Sequence, residues 1–214
     1  MVKKFVLCVI TVMLVLGCNV LADEITDTLF KFSIMTGDKN GELRLDEEVT
    51  RAEMARIIIS ALGENDVNKA DTVFSDVPYE HWASGYIKKA YDSGIISGMG
   101  DGSFMPDSKV TNEQAVKMII CALGYEPLTQ MRGGWPIGYM YVAGTNGIVE
   151  GLDLDGKQNA KRGDIAKMLF NALDVPMLTL KTYNDGIERD GSEYTIMDGK
   201  NGIPLMTLRT ILES

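Results

Sequence analysis

The chain is poor in the side chains that most often carry catalysis or bind metals. Its 214 residues contain one histidine, three cysteines and two tryptophans. His81 has no second histidine and no serine or cysteine motif beside it, which argues against a catalytic triad or a zinc site. The segments 38–41 and 153–156 lack the spacing of a calcium loop and predict tight turns instead. No phosphate-binding loop or dinucleotide motif occurs. We therefore predict no cofactor, no metal and no enzymatic activity.

Cysteine is too scarce for a disulfide scaffold. Cys8 and Cys18 lie near the N-terminus, and Cys121 is the one cysteine in the body of the chain. Cys121 falls on an apolar helix stripe, which favours a packed and unreactive thiol over a reactive one.

Basic residues are also fewer than acidic residues. Lysine and arginine total 21 against 30 aspartate and glutamate residues, for a formal net charge of −9. Such an acidic surface argues against a nucleic acid partner and against non-specific attraction to anionic membranes. An anionic ligand would have to be bound by a few specifically placed cations.

The N-terminus has the pattern of a secretory signal peptide. Lysines at 3–4 precede an apolar run that is too short to span a bilayer, and a small-residue cleavage site ends at Ala22. The sequence therefore predicts export, with a signal peptide at 1–22. The alternative is a lipoprotein signal, in which Val15-Leu16-Gly17-Cys18 is a lipobox and a lipid on Cys18 contacts the membrane.

Three apolar stripes recur along the chain, each with the i, i+3, i+4, i+7, i+8 spacing of one helix face. Their members are Met54, Ile57, Ile58, Ala61 and Leu62; Ala115, Met118, Ile119, Ala122 and Leu123; and Ile165, Met168, Leu169, Ala172 and Leu173. A spacing kept three times is typical of a repeat architecture.

A further helix precedes the second and third stripes. Trp82 and Trp135 fall at equivalent positions near its start, and Gly94 and Gly147 at its end, where glycine favours a left-handed cap. The first copy is abbreviated, because the position equivalent to Trp82 falls in the signal segment. We expect repeats at 23–63, 72–125 and 126–174.

Residues 175–214 differ from the rest of the chain. The segments 194–197 and 203–208 resemble short β-strands on either side of a turn that contains Asp198-Gly199. This tail is too small for an independent domain. Two interpretations are open: the tail packs on the repeats, or the chain ends early in what was once a longer protein.

Together these residues resemble the S-layer homology family, the cell-wall-anchoring repeats of bacterial surface proteins. The segment Val49-Thr50-Arg51-Ala52-Glu53 is similar to the most specific motif of the family. The second repeat matches its pattern in order at Phe74-Ser75-Asp76-Val77, Trp82-Ala83, Ile87, Ala90, Gly94-Ile95-Ile96, Gly98, Asp101-Gly102-Ser103-Phe104, Pro106 and Val110-Thr111. The resemblance implies a mainly α fold, with three helix–loop–helix repeats in a pseudo-threefold bundle and a short hairpin-like tail.

The resemblance also implies a ligand and its site. Members of the family bind secondary cell-wall polysaccharide, often with pyruvylated amino sugars, in grooves between adjacent repeats. The groove elements are the motif arginine, a glycine-rich loop and a loop aromatic. They correspond here to Arg51, Gly98, Asp101, Gly102 and Trp82, with Arg162, Gly151 and Trp135 as counterparts in the third repeat.

Several of these residues have a structural alternative. Thr50 and Glu53 fit a capping box, as do Thr111 and Gln114, so we expect a structural role first and ligand contact second. The two tryptophans either stack on sugar rings or fill the core at the repeat junctions.

Arg51 differs, because a cation in the first turn opposes the helix dipole. A residue placed against local preference favours a functional interpretation, and a guanidinium can bind a carboxylate through two parallel hydrogen bonds. The second repeat has Asn112 where the arginine is expected, whereas the third keeps Arg162.

The leading hypothesis is an exported cell-envelope protein anchored non-covalently to the cell wall by these repeats. The alternative is an exported protein–protein or S-layer assembly module whose grooves have lost glycan binding. The sequence leaves the oligomeric state open.

Overall fold

The computed structural model describes residues 24–38, 41–180, 194–200 and 204–214. The predicted signal peptide and the alternative lipobox lie outside the described residues. The helices are α1 (24–31), α2 (Arg51–Ala61), α3 (Ser84–Asp92), α4 (Asn112–Ala122), α5 (Glu126–Gln130), α6 (Ile137–Thr145), α7 (Arg162–Ala172) and α8 (Leu208–Leu212), and the strands are β1 (Leu178–Leu180) and β2 (Tyr194–Ile196). The chain is mainly α with a small antiparallel sheet near its C-terminus, as the sequence predicts. No helix in the described segments is long and apolar enough to cross a bilayer.

The three predicted apolar stripes lie on α2, α4 and α7, each 11 residues long. Their inward side chains are buried: Met54, Ile119 and Leu169 are at most 1% exposed. Helix α4 contacts both α2 and α7, while α3 packs on α2 and α6 packs on α4. The stripes therefore form one continuous core.

Three extended segments that precede these helices bond to one another in a closed cycle. The amide of Val49 donates to the Ala160 carbonyl at 3.0 Å, and the amide of Ala160 donates to the Val110 carbonyl at 2.8 Å. The amide of Val110 completes the cycle by donating to the Val49 carbonyl at 3.0 Å. This cycle brings the N-termini of α2, α4 and α7 close together.

The first two amides of each of these helices donate to the loop before the next helix of the cycle. The acceptors are the carbonyls of Ser108 and Pro106 for α2, Gln158 and Gly156 for α4, and Glu47 and Leu45 for α7. The first amides of a helix have no partner within it, so these bonds satisfy them and fix each loop against a neighbouring helix. The candidate site described below lies at one of these junctions.

Local capping signals position two of the three helices that carry the apolar stripes. Thr50 with Glu53, and Thr111 with Gln114, form complete capping boxes at α2 and α4, as predicted. Helix α7 begins after Lys161, whose side chain makes no capping bond.

Two details of the connecting segments differ from expectation. Helix α3 begins at Ser84, so Trp82 precedes it and is 51% exposed. Helix α5 lies where only a connector was expected, because a five-residue helix is too short to show periodicity. The predicted glycine cap after α3 is confirmed, with Gly94 at a φ of +70°.

The strand at 194–196 is confirmed, but its expected partner is wrong. Strand β2 pairs antiparallel with β1, with Thr195 opposite Thr179. Residues 204–207 are not in a strand, and Leu208 begins α8. Thr207 caps α8 by accepting from the Thr210 amide, a signal that favours a helix start over a strand.

The described parts of the tail pack on the bundle, as the first of the two interpretations expects. The amide of Leu178 donates to the Leu123 carbonyl at 2.9 Å, at the C-terminal end of α4. Arg209 binds both carboxylate oxygens of Asp174, just beyond α7, at 2.6 and 2.8 Å. The tail thus joins the ends of α4 and α7 that lie opposite the closed cycle.

Candidate functional site

A cavity of about 250 Å³ lies beside the N-terminus of α2. It is lined by Arg51, Ile95, Ile96, Ser97, Gly98, Met99, Phe104, Gln114, Lys117, Met118 and Trp135. We call it the Arg51 cavity. It joins α2, the loop after α3, helix α4 and the segment before α6, so parts of all three expected repeats contribute. Three predicted site residues line it together: Arg51, Gly98 and Trp135.

The guanidinium of Arg51 is held by the loop that follows α3. Its Nε donates to the Phe104 carbonyl at 2.7 Å and its Nη2 donates to the Ser97 carbonyl at 3.2 Å. The guanidinium carbon also lies 4.5 Å from the centre of the Phe104 ring, a cation–π contact. A guanidinium has five N–H donors. In the described part of the chain, the other three have no hydrogen-bond partner.

Arg51 remains positively charged at neutral pH. Burial lowers the pKa of its guanidinium, and the nearby carboxylate of Asp76 opposes that change. A guanidinium keeps its proton in proteins, so the group retains its charge.

Lys117 is a second cation in the cavity, and the sequence reasoning missed it. Its Nζ lies 5.7 Å from the ring centres of both Trp135 and Tyr139. Among the described residues it forms no salt bridge. The sequence does contain a pattern that could have identified it: a basic residue occurs at the same position of α2, α4 and α7, namely Arg56, Lys117 and Lys167.

The two tryptophans do not fill the core. Trp135 is 48% exposed and meets Tyr139 edge-on, with 5.8 Å between ring centres. Trp82 is 51% exposed, stacks on His81 and does not line the Arg51 cavity. Both indole rings are therefore accessible to a ligand, although only that of Trp135 lies beside Arg51.

Gly98 allows the loop to pass close to its neighbours. A Cβ at this position would lie 2.7 Å from the Ser103 carbonyl oxygen and 2.7 Å from a ring carbon of Phe74. Real Cβ atoms do not approach other atoms this closely, so a side chain here would displace the loop that holds Arg51.

Asp101 and Gly102 shape the same loop without lining the cavity. The Asp101 carboxylate accepts hydrogen bonds from the Ser103 hydroxyl at 2.6 Å and the Ser103 amide at 2.9 Å. These bonds lower the pKa of Asp101. Gly102 has a φ of +88°, and its carbonyl accepts from the Ser75 amide at 3.0 Å.

Thr50 and Glu53 are occupied by the capping box of α2. The Glu53 carboxylate accepts from the Thr50 amide at 2.8 Å, and the Thr50 hydroxyl accepts from the Glu53 amide at 3.2 Å. Neither residue lines the Arg51 cavity.

Arg162 repeats the contacts of Arg51 at another junction. Its Nε donates to the Leu43 carbonyl at 2.8 Å and its Nη2 donates to the Thr36 carbonyl at 3.4 Å. Burial lowers the pKa of Arg162, Glu53 opposes that change, and the positive charge of Arg44 adds to it. Arg162 is only 7% exposed.

The third junction has no arginine. Asn112 is 4% exposed and donates from Nδ2 to the Asp155 carbonyl at 2.8 Å. The amide thus binds the neighbouring loop, as the arginines do, but brings no charge. Gly151 lies near this junction with a φ of +73°, and a Cβ there would meet Lys167 at 3.7 Å.

Comparison with known proteins agrees with this description. Residues 73–116 match the model of the S-layer homology domain. The chain is 37% identical over 183 residues to a cell surface protein of Thermoanaerobacter kivui, covering 79% of this chain and 23% of that protein. It is 33% identical over 167 residues to the middle cell wall protein of Brevibacillus brevis, covering 77% and 16%.

A third relative is the cellulosome-anchoring protein of Acetivibrio thermocellus, 28% identical over 131 residues, which cover 55% of this chain and 29% of that protein. The chain therefore spans less than a third of the length of each of these relatives. The matched residues 73–116 include α3, the loop that holds Arg51 and the first part of α4. Through this domain, the chain belongs to the S-layer homology family.

Proposed function

We propose that the chain is a cell-envelope protein that attaches non-covalently to the cell wall by binding an acidic secondary polysaccharide in the Arg51 cavity. One observation carries the proposal. Arg51 and Lys117 line one cavity and, among the described residues, neither forms a salt bridge, although the chain has a net charge of −9. Two cations that form no salt bridge in the described part of the chain are a suitable site for an anion.

The geometry favours a carboxylate attached to a sugar, such as a pyruvyl group. Two contacts to loop carbonyls hold the Arg51 guanidinium and leave three donors for a bidentate bond to a carboxylate. Lys117 supplies a second positive charge. The half-exposed Trp135 ring offers an apolar face on which a sugar ring can stack.

A second groove is proposed at Arg162. There Arg56 takes the position that Lys117 has in the Arg51 cavity, and its Nη2 donates to the Thr36 hydroxyl at 3.4 Å. By the same repeat relationship Trp82 corresponds to Trp135. The third junction, with Asn112, lacks the arginine and is proposed to bind acidic glycan weakly or not at all.

The relatives support the location of the ligand at the cell surface. Their names are those of a cell surface protein, a cell wall protein and a cellulosome-anchoring protein. Export through the predicted signal peptide is part of this proposal, and catalysis is not.

The proposal is tested by sedimentation of the purified protein with cell-wall sacculi before and after extraction of the secondary polymer. Binding should disappear with the polymer. It should fall at least tenfold in the double variant Arg51→Ala with Arg162→Ala. Arg132→Ala is the matched control, because its guanidinium lies over Tyr141 outside the cavity. Binding that survives extraction, or that the double variant leaves unchanged, contradicts the proposal.

Specificity for the pyruvyl group needs a second comparison. Polymer from which the pyruvyl ketal has been removed by mild acid should bind much more weakly than intact polymer. Equal binding of the two polymers would mean that another group of the glycan is recognised.

A second candidate function has one observation in its favour. Helix α6 and the turn before it expose large apolar side chains: Met131 is 80% exposed, Ile137 69% and Tyr141 50%. This surface suits an S-layer assembly module that binds protein. A defined oligomer in light scattering, together with no binding to any wall polymer, would favour this candidate over the first.

A further inference from the structure

Asp76 holds the loop of the Arg51 cavity through two successive backbone amides. Its Oδ1 accepts from the Phe104 amide at 2.8 Å, and its Oδ2 accepts from the Met105 amide at 2.7 Å. Met105 has a φ of +59°, which is rare for a residue with a side chain. The carboxylate therefore stabilises a loop conformation that the local sequence does not favour.

One peptide group connects Asp76 to Arg51. The carbonyl of Phe104 and the amide of Met105 belong to the same peptide unit. Its oxygen accepts from Arg51 Nε at 2.7 Å, and its N–H donates to the Asp76 carboxylate. A carboxylate on one side and a guanidinium on the other polarise this peptide in the same direction, so each hydrogen bond strengthens the other.

Asp76 also fixes the ring beneath the guanidinium. The Phe104 ring lies 4.5 Å from the guanidinium carbon of Arg51 and 5.3 Å from the ring of Phe74. Because Asp76 binds the amide of Phe104, the same carboxylate sets both the carbonyl and the ring that Arg51 contacts.

The Arg162 junction provides an internal comparison. Arg162 donates to the carbonyls of Leu43 and Thr36, as Arg51 does to those of Phe104 and Ser97. Arg44 has a φ of +52° at the position that corresponds to Met105. In the described residues, however, no side chain accepts from the amides of Leu43 or Arg44. Among the residues that the structure describes, the peptide anchor therefore occurs at Arg51 and not at Arg162.

We propose that Asp76 is a positioning residue for ligand binding: through the Phe104–Met105 peptide it holds the Arg51 guanidinium in the orientation that binds an anion, without contacting the ligand itself. The proposal rests on the function proposed for the Arg51 cavity.

The first test needs no ligand. Nitrogen-15 NMR resolves arginine Nε–H groups, and we expect the Arg51 Nε–H to exchange slowly with solvent. In Asp76→Asn, which keeps the shape but loses one acceptor and the charge, this exchange should accelerate about tenfold. The Nε–H of Arg162 should not change. If exchange accelerates at neither arginine, Asp76 is not coupled to Arg51 and the proposal is overturned. If exchange accelerates equally at both arginines, the variant has loosened the whole structure, and the proposal is overturned as well.

The second test measures the affinity for purified acidic wall polymer in the full chain. In Asp76→Asn the affinity of the Arg51 cavity should fall about tenfold in an Arg162→Ala background. Asp71→Asn, a neighbouring exposed acid, is the control and should leave the affinity unchanged. If Arg51→Ala removes binding while Asp76→Asn has no effect, the positioning role is overturned. If the wild-type chain binds no polymer, the proposed function fails, and the exchange measurement still decides whether Asp76 positions Arg51.

Discussion

Arg51 and Arg162 are held in the same way at two different junctions. The Nε of Arg51 donates to the Phe104 carbonyl at 2.7 Å, and the Nε of Arg162 donates to the Leu43 carbonyl at 2.8 Å. Each arginine begins its helix, where a positive charge opposes the helix dipole. The structure shows that both side chains bind the backbone of a neighbouring loop. This structural role explains in part why an arginine is found at a position where the helix dipole disfavours it.

Because Arg51 binds a loop and is also proposed to bind the ligand, the Arg51→Lys variant is more informative than Arg51→Ala. A lysine keeps the charge, but it cannot donate to the Phe104 and Ser97 carbonyls and also bind a carboxylate through two parallel bonds. We expect a loss of about 1 kcal/mol in unfolding free energy and at least a tenfold loss of affinity for acidic wall polymer. Urea unfolding and calorimetric titration measure the two effects. Unchanged affinity in the lysine variant would show that charge alone is recognised.

Helix α7 lacks the side-chain N-cap that α2 and α4 have, and a single substitution can introduce one. Lys161 occupies the N-cap position with an extended backbone and makes no side-chain bond, while Asp164 lies at the third helical position. Lys161→Thr should stabilise the chain by about 1 kcal/mol, because the hydroxyl can accept from the Asp164 amide. Thr111→Ala should cost a similar amount at α4. Thermal unfolding measures both, and no gain in the first variant would contradict the capping argument.

The capping boxes and stripes could be predicted because their signals are local. Thr50 and Glu53 are three residues apart, and an apolar stripe repeats within one helix. The partner of β2 could not be predicted in this way. The chain does bend after Met197, where the Lys200 amide donates to the Asp198 carboxylate at 3.0 Å. The strand that pairs with β2, however, precedes it in the chain. Tertiary contact, and not the turn, selects the partner.

The site was predictable only in part for the same reason. Arg51, Gly98 and Trp135 belong to motifs that can be recognised along the chain. Lys117 looks like an ordinary solvated cation on a helix until the fold places it beside Trp135, which belongs to a later segment. The role proposed for Asp76 likewise depends on contact with Phe104 and Met105, in the loop between α3 and α4.

Two glycines of α6 provide a matched pair for testing the packing of this helix. A Cβ on Gly138 would lie 2.1 Å from the Thr129 carbonyl oxygen, whereas a Cβ on Gly144 would meet nothing within 4 Å. Gly138→Ala should therefore destabilise the chain by more than about 2 kcal/mol, because α5 and α6 must separate. Gly144→Ala should stabilise it by up to about 1 kcal/mol through helix propensity. Similar effects of the two changes in urea unfolding would contradict this packing.

We expect the buried thiol of Cys121 to lower the unfolding free energy of the chain at high pH. Burial raises the pKa of its thiol from an ordinary value near 9 to about 12, and the negative charge of Glu126 adds to the rise. The unfolded chain therefore loses this proton at lower pH than the folded chain does, so the stabilising contribution is complete below about pH 9 and decreases as pH rises towards 12.

The measurement is the unfolding free energy in urea at pH 8 and at pH 10.5 for the wild-type chain and for Cys121→Ala. The wild-type chain should lose about 2 kcal/mol more than the variant between these two values, because each unit of pKa difference is worth about 1.4 kcal/mol. The pKa of Tyr139 is also raised by burial to about 12, and Tyr139 and Cys121 affect each other's pKa, so both proteins carry Tyr139→Phe. The comparison then cancels the contributions of groups that do not interact with Cys121. Parallel pH profiles would show that the thiol is not held in its protonated form by the fold.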